Sequence, residues 1–296
     1  MADPKLKLGN DIWATKQKSL LAYNDEGGNF KSLPFQVDRI SGGTYVGRNG
    51  LIQSAASNEP RIDFTSNTKG ALLLEPQRTN YALNSNDASQ WANVGGSQSI
   101  TKTANYSIAP DGTQTAARLQ ASASGSGYSL ISLSTTSFVG NYSLSVYLKS
   151  NTGSTENVVV YGRNTTVTSY AIGNEWQRID LQGSGTSGQN LYLFLGSFPN
   201  NGSDNTIDVS VWGGQLEAGT YATSIIPTSG AAVTRVKDEV ANGGNEFIFN
   251  DSEGVVFMDV EIPENSSEVK QSALCNGTTN EAVKILQLNG TTFRFE

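Results

Sequence analysis

The sequence predicts an all-β protein: a jelly-roll β-sandwich with an irregular N-terminal arm and a partial second β region at the C-terminus. Three observations carry this. Short apolar runs recur through residues 84–219 with turn signals between them. Where the runs alternate they do so with a period of two, and no helical period emerges. The composition is polar without being charged, with 37% hydrophobic and 16% charged residues, and 31 glycines serve the turns. Regularly spaced strands of this kind build a sandwich or jelly roll.

Residues 1–48 read as the arm. Ile12-Trp13-Ala14 and Ser19–Tyr23 are apolar islands, Asn24–Asn29 is a loop, and Leu33–Val37 is a short strand. Tyr45-Val46 and Leu51-Ile52-Gln53 flank Gly47-Arg48-Asn49-Gly50, and Asn-Gly between apolar runs signals a hairpin. Pro60–Phe64 alternates, and Leu72-Leu73-Leu74 reads as a buried strand stopped by Pro76. Trp91 starts an irregular connection, and Pro110-Asp111-Gly112 is a turn. Strands are expected at Ala116–Leu119, Tyr128–Leu133, Val158–Tyr161, Trp176–Leu181, Leu191–Leu195 and Ile207–Trp212. Between Tyr142 and Lys149 the apolar Tyr142, Leu144, Val146 and Leu148 alternate with Ser143, Ser145, Tyr147 and Lys149, the mark of a half-buried strand. Residues 229–240 read as a linker. Strand candidates at Phe247–Phe249, Val255–Val260, Val283–Leu288 and Thr292–Phe295 make up 241–296, too few for an independent sandwich.

Four stretches stand out by their order: NGLIQSAASNEPRIDF (49–64), GALLLEPQRT (70–79), WGGQLEAG (212–219) and YATSIIPTSGAAVTR (221–235). Together they resemble a module of tailed-phage virion proteins, over most of residues 9–238. The resemblance implies a non-enzymatic virion structural protein, of head-fibre, capsid-decoration or tail-fibre type. It implies a carbohydrate-binding-module-like jelly roll over 49–228. In proteins of this kind a concanavalin-like sandwich often follows, so 241–296 reads as part of one. Such a chain is made in the host cytoplasm and assembles with other virion proteins. Self-association is expected, as a trimer, the usual state of fibrous appendages.

The chain lacks histidine and has one cysteine, Cys275, which excludes disulfides within the chain, ordinary zinc ligand sets and Ser-His-Asp or Cys-His machinery. The net charge of −7, without a cationic cluster, argues against nucleic acid as a partner. No apolar run approaches the ~20 residues that span a bilayer, and Met1-Ala2-Asp3-Pro4 with Lys5 and Lys7 lacks the apolar core of a secretory signal. Membrane insertion is therefore not expected. Gly183, Gly185 and Gly188 match G-x-G-x-x-G, but the strand-like Leu191–Leu195 follows where a helix would have to stand, so the match reads as a loop. Glycan hydrolysis would need two carboxylates set across a cleft, which scattered Asp and Glu do not define. No cofactor is implied beyond a structural calcium ion of the sort such sandwiches often carry, with Asp208 and Glu217 as candidate ligands.

Aromatic residues remain as functional candidates, because sugar rings stack their C–H faces on Tyr and Trp. Trp91, Tyr128, Tyr147, Tyr161 and Tyr170 are the candidates for contact with host-surface glycans. Trp176 and Trp212 read as core residues. In the arm, Trp13, Leu20, Leu21, Phe30 and Phe35 read as docking anchors for another chain, since so short a segment cannot bury them alone. A lectin-like role is the alternative to the structural one, and a glycan-degrading enzyme is the third reading.

Overall fold

The computed structural model describes residues 9, 11, 13–16, 19–23, 30–137, 139–187, 190–242, 259–261, 270–275, 282–289 and 292–295. Eight strands precede the sandwich: β1 (Ala14–Lys16), β2 (Ser19–Tyr23), β3 (Phe30–Asp38), β4 (Gly43–Val46), β5 (Ile52–Ala55), β6 (Ile62–Asp63), β7 (Ala71–Leu72) and β8 (Arg78–Asn80). The sandwich comprises β9 (Ala92–Asn93), β10 (Ser99–Ser107), β11 (Ala116–Ser122), β12 (Ser129–Ser137), β13 (Gly140–Ser150), β14 (Glu156–Gly162), β15 (Thr168–Ile172), β16 (Gln177–Gly185), β17 (Asn190–Ser197) and β18 (Thr206–Ala218). After it come β19 (Val233–Arg235), β20 (Glu239–Ala241), β21 (Lys270–Cys275), β22 (Ala282–Asn289) and β23 (Thr292–Phe295). No helix among the described residues is long and apolar enough to cross a membrane.

Two five-stranded antiparallel sheets face each other. The first runs β10-β11-β18-β13-β16 and the second β15-β14-β17-β12-β9. From β11 onward the chain changes sheet at nearly every connection, the winding of a jelly roll. Alternation decides what lies between the sheets. Leu144, Val146 and Leu148 on β13 meet Val158 and Val160 on β14 and Leu191, Leu193 and Leu195 on β17, all inaccessible to solvent. Burying each such side chain contributes roughly 1.5–3 kcal/mol, so this layer is the principal core.

The outer face of the first sheet is covered by the chain itself. Residues 39–80 and 220–238 wrap over it. Trp212 and Tyr147 project from the sheet into this cover and pack with Ile52, Ala109, Ala116 and Ile225. Ser143 Oγ donates to Tyr221 O at 2.9 Å, and Arg178 Nη2 to Thr223 O at 2.7 Å. Core packing of Trp212 is as the sequence suggests, and Trp176 packs at the margin of the same cluster.

The quoted sequence stretches are the fastenings of this wrap. Glu75 accepts from Arg61 Nη1 at 2.7 Å, Ser224 N at 2.7 Å and Ser224 Oγ at 2.7 Å, and forms an ion pair with Arg235 at 2.8 Å. Asp238 takes Arg39 at 2.8 Å, the second arm of Arg61, and the Glu75 N–H at 2.9 Å. Arg39, Arg61 and Arg235 are each 1% exposed. Burial works against the charge on Glu75, but Arg235, Arg61 and the Ser224 bonds outweigh it and hold the carboxyl at about 2. In WGGQLEAG, Gly213 (φ +68°) lies where the β13–β18 register shifts, and a Cβ at Gly214 would stand 2.4 Å from the Trp91 ring. Gln215 takes the Ile226 N–H at 2.6 Å, and Glu217 the Thr223 N–H at 2.9 Å.

Several expectations need correction. Residues 229–240 are no linker: β19 pairs with β8, β20 pairs with β3, and Arg235 and Asp238 lie in the buried ion cluster. Nor is 1–48 a free arm, because Val37, Arg39 and Thr44 are buried in the fold. Of the docking anchors, Trp13 and Phe35 pack with Val37, Ile62, Phe64 and Leu72 of this chain, and Trp13 Nε1 donates to Lys69 O at 2.9 Å. Leu20, Leu21 and Phe30 lie on β2 and β3, with side chains outside the described residues. Of the buried strand expected at Leu72–Leu74 only Leu72 lies on a strand, the two-residue β7, and it is half-buried, while Leu74 is 50% exposed. The Asn-Gly hairpin forms as expected, joining β4 to β5. Phe247–Phe249 and residues 255–258 of the C-terminal strand candidates lie outside the described residues, while Val283–Leu288 and Thr292–Phe295 fall on β22 and β23. β21, β22 and β23 form a three-stranded sheet of their own.

Candidate functional site

The outer face of the second sheet carries partly buried aromatic residues. On β17, Leu191, Leu193 and Leu195 point inward, so Tyr192 and Phe194 point outward. On β14, Tyr161 alternates with the inward Val158 and Val160 and sits opposite Phe194 in the register. The three rings stack in a row: Tyr192 to Phe194 at 5.3 Å and 20°, Phe194 to Tyr161 at 4.8 Å and 24°. Near-parallel rings at these separations are offset, so each covers part of its neighbour and leaves an edge and part of a face to solvent. Beyond β17, Phe198 meets Tyr128 edge to face at 5.7 Å, and Tyr128 Oη donates to Gly95 O. Val159 and Leu130 point outward by the same alternation, yet they are almost inaccessible, so the outer face carries its own apolar layer. Burial raises the Tyr161 pKa, with a smaller contribution from Tyr128, so its hydroxyl stays protonated.

One end of the row is cationic. Arg163 follows β14, with its guanidinium carbon 5.7 Å from the Tyr192 ring centroid. Its backbone is pinned from both sides: Arg163 N donates to Tyr192 O at 3.2 Å, and Tyr142 Oη reaches out of the core to donate to Arg163 O. The tyrosine fits because a Cβ on Gly183 would lie 2.4 Å from that hydroxyl. Gly183 thus belongs to β16 and serves packing.

The predicted site residues divide. Tyr128 and Tyr161 share this face. Tyr147 lies on the other sheet, under the wrap, 5.8 Å from Trp212 and beneath Arg178, and burial raises its pKa. Tyr170 packs against the principal core. Trp91 is a correction: it is 3% exposed, donates Nε1–H to Asn84 O at 3.0 Å, and fills the recess left by Gly214. A ring so enclosed offers no face to a sugar. Tyr192, Phe194 and Phe198 are the members that sequence reading missed. The alternation within LYLFL (191–195), aliphatic in and aromatic out, was the available signal.

The calcium candidates are engaged elsewhere. Asp208 is bridged by Arg118, which donates from Nε at 2.8 Å and from Nη2, and it also takes Asn151 Nδ2 at 3.0 Å. These bonds, Arg118 first, lower its pKa. Glu217 is fully buried, with its pKa raised by that burial although Thr223 donates to it twice. The two lie nine residues apart on β18, about 30 Å along an extended strand, and share no ion. No cluster of three or more metal-ligating side chains occurs among the described residues.

No family model matches the chain, and no curated protein does. Among solved structures it is similar to the enzymatically active domain of tailspike protein 4 of bacteriophage CBA120, with 13% identity and a TM-score of 0.33, over 48% of this chain and 21% of that one. It is similar to the CBM22-1 xylan-binding domain of Paenibacillus barcinonensis Xyn10C, with 17% identity and a TM-score of 0.32, over 49% and 94%. It is also similar to TmCBM61 in complex with β-1,4-galactotriose, with 14% identity and a TM-score of 0.33, over 46% and 97%. At these scores none of the three bears on what this chain does, and the architecture rests on its own strand order and core.

Proposed function

We propose that the protein is a non-enzymatic structural subunit of a phage particle whose sandwich binds glycans through the open face of the second sheet. The observation that carries the binding reading is the row Tyr192, Phe194 and Tyr161, held partly buried on the outer face of one sheet while the opposite sheet is covered. Rigid amphipathic rings offer sugar C–H groups a surface at little entropic cost, and the phenol hydroxyls offer hydrogen bonds. The particle reading rests on the order of the quoted stretches. On that reading the protein resides in the virion and assembles as a homo-oligomer, a trimer first of all, beside other virion proteins.

The test is a glycan array probed with the full chain and with Tyr161→Ala and Phe194→Ala. Losing one ring of a stacked row should weaken retention at least about tenfold. Absence of any glycan signal, or signals equal in wild type and both variants, would remove the binding reading. Native mass measurement addresses assembly separately, and a monomer at micromolar concentration would count against the particle role.

A further inference from the structure

We infer that the saccharide bound on this face is an acidic one, whose carboxylate is received by Arg163 at the end of the aromatic row. The inference rests on the glycan-binding reading above and narrows it to a chemical class. Among the described residues, Arg39, Arg48, Arg61, Arg118, Arg178 and Arg235 each pair with a carboxylate of this chain. Arg163 pairs with no carboxylate among the described residues. Its nearest acceptor is the Asn190 carbonyl, 3.5 Å from Nη1, at the limit of a hydrogen bond. Lys149 over Trp176 is likewise without a carboxylate partner among the described residues, but Arg163 is the one that stands at the end of the aromatic row.

Geometry makes this arginine a receptor more than a solvated side chain. Its backbone is fixed by the Tyr142 hydroxyl and by the Tyr192 carbonyl. Its guanidinium carbon lies 5.7 Å from the Tyr192 ring centroid, a cation–π contact. A guanidinium carries a two-pronged N–H edge matched to a carboxylate. Thr165 Oγ1 accepts from Gly162 N at 2.8 Å, and Asn164 Nδ2 donates to Ser184 O at 3.1 Å, so the whole turn is tied down. A pyranose against Tyr192 and Phe194 would place a ring carboxylate within reach of this fork. The far end of the face differs. There Asp204 accepts from Asn157 N at 2.7 Å and would repel a second acid group, so the face has a direction.

The experiment uses the full chain against matched pairs of immobilised oligosaccharides, each uronate- or sialate-containing chain beside its methyl ester, which keeps the sugar and removes the charge. The expected result is acid over ester by about tenfold, a preference abolished in Arg163→Gln. Tyr161→Ala should weaken both members alike. Equal binding to acid and ester would overturn the role of Arg163 while leaving glycan binding standing. So would an acid preference that survives in Arg163→Gln. Failure to bind either member of any pair would bring down the glycan-binding reading as well. A thermal melt of Arg163→Gln matching wild type guards against misfolding as the cause.

Discussion

Replacing Glu75 by Gln keeps the side-chain shape and removes one charge from the centre of the wrap. The structure sets the size of the effect. Folding lowers this carboxyl from 4.5 to about 2, and each unit corresponds to about 1.4 kcal/mol. The ionised form is therefore favoured in the fold by about 3 kcal/mol, the same order as the ~3–5 kcal/mol lost when a buried ion pair loses a partner. In a chain of this size that corresponds to a fall in Tm of roughly 6–12 °C. The pH dependence has a definite sign. A depressed carboxyl stabilises the fold above its unfolded pKa of about 4.5, and this contribution is lost as pH falls through 4.5 toward 2. Wild type should thus lose stability across that window, and Glu75→Gln should lose less, having already forfeited this share at neutral pH. Thermal melts by circular dichroism at pH 7, 5, 4 and 3 would read both effects. If Glu75→Gln melts with wild type at pH 7 and tracks it down to pH 3, the ion cluster does not fasten the wrap.

Three further perturbations separate the roles assigned above. Gly214→Ala drives a methyl into the Trp91 ring and should cost about 1–3 kcal/mol in chemical denaturation, since backbone and ring are both enclosed. Trp91→Ala should cost about 3–5 kcal/mol in the same assay and leave glycan retention per folded molecule unchanged, because the ring never reaches the surface. Tyr142→Phe removes the hydroxyl that holds the Arg163 carbonyl. It should cost about 1 kcal/mol and narrow the gap between acid and ester oligosaccharides, whereas an unchanged gap would show that the turn is fixed without it.

Much of the sandwich was legible because its strands alternate. The inward residues of β13 follow directly from a period of two, and all are inaccessible. β10 was not legible: as an edge strand with little buried surface it reads SITKTANYS, with Ile100 its one residue packed against the core. The wrap escaped for a different reason. Arg61, Glu75, Arg235 and Asp238 meet across as many as 177 positions, and a local pattern holds no record of such pairings. That is why 229–240 looked like a linker and why Tyr147, outward on its strand, looked available when it is roofed over. At the candidate site Tyr128 and Tyr161 were found as aromatics on strand segments. Tyr192 and Phe194 were hidden in a run that read as uniformly apolar.

The pairing of β3 with β20 has a mechanical consequence. Asp38 stands opposite Glu239, and Gln36 opposite Ala241, so the chain enters and leaves the wrapped sandwich side by side. A pull that separates the two leads loads this short ladder one rung at a time, in the unzipping direction, before it reaches Arg39 and Asp238. The sandwich itself hangs outside the line of force, like a tag on a cord. A tether under tension could therefore lengthen by peeling β20 while the aromatic face keeps its shape.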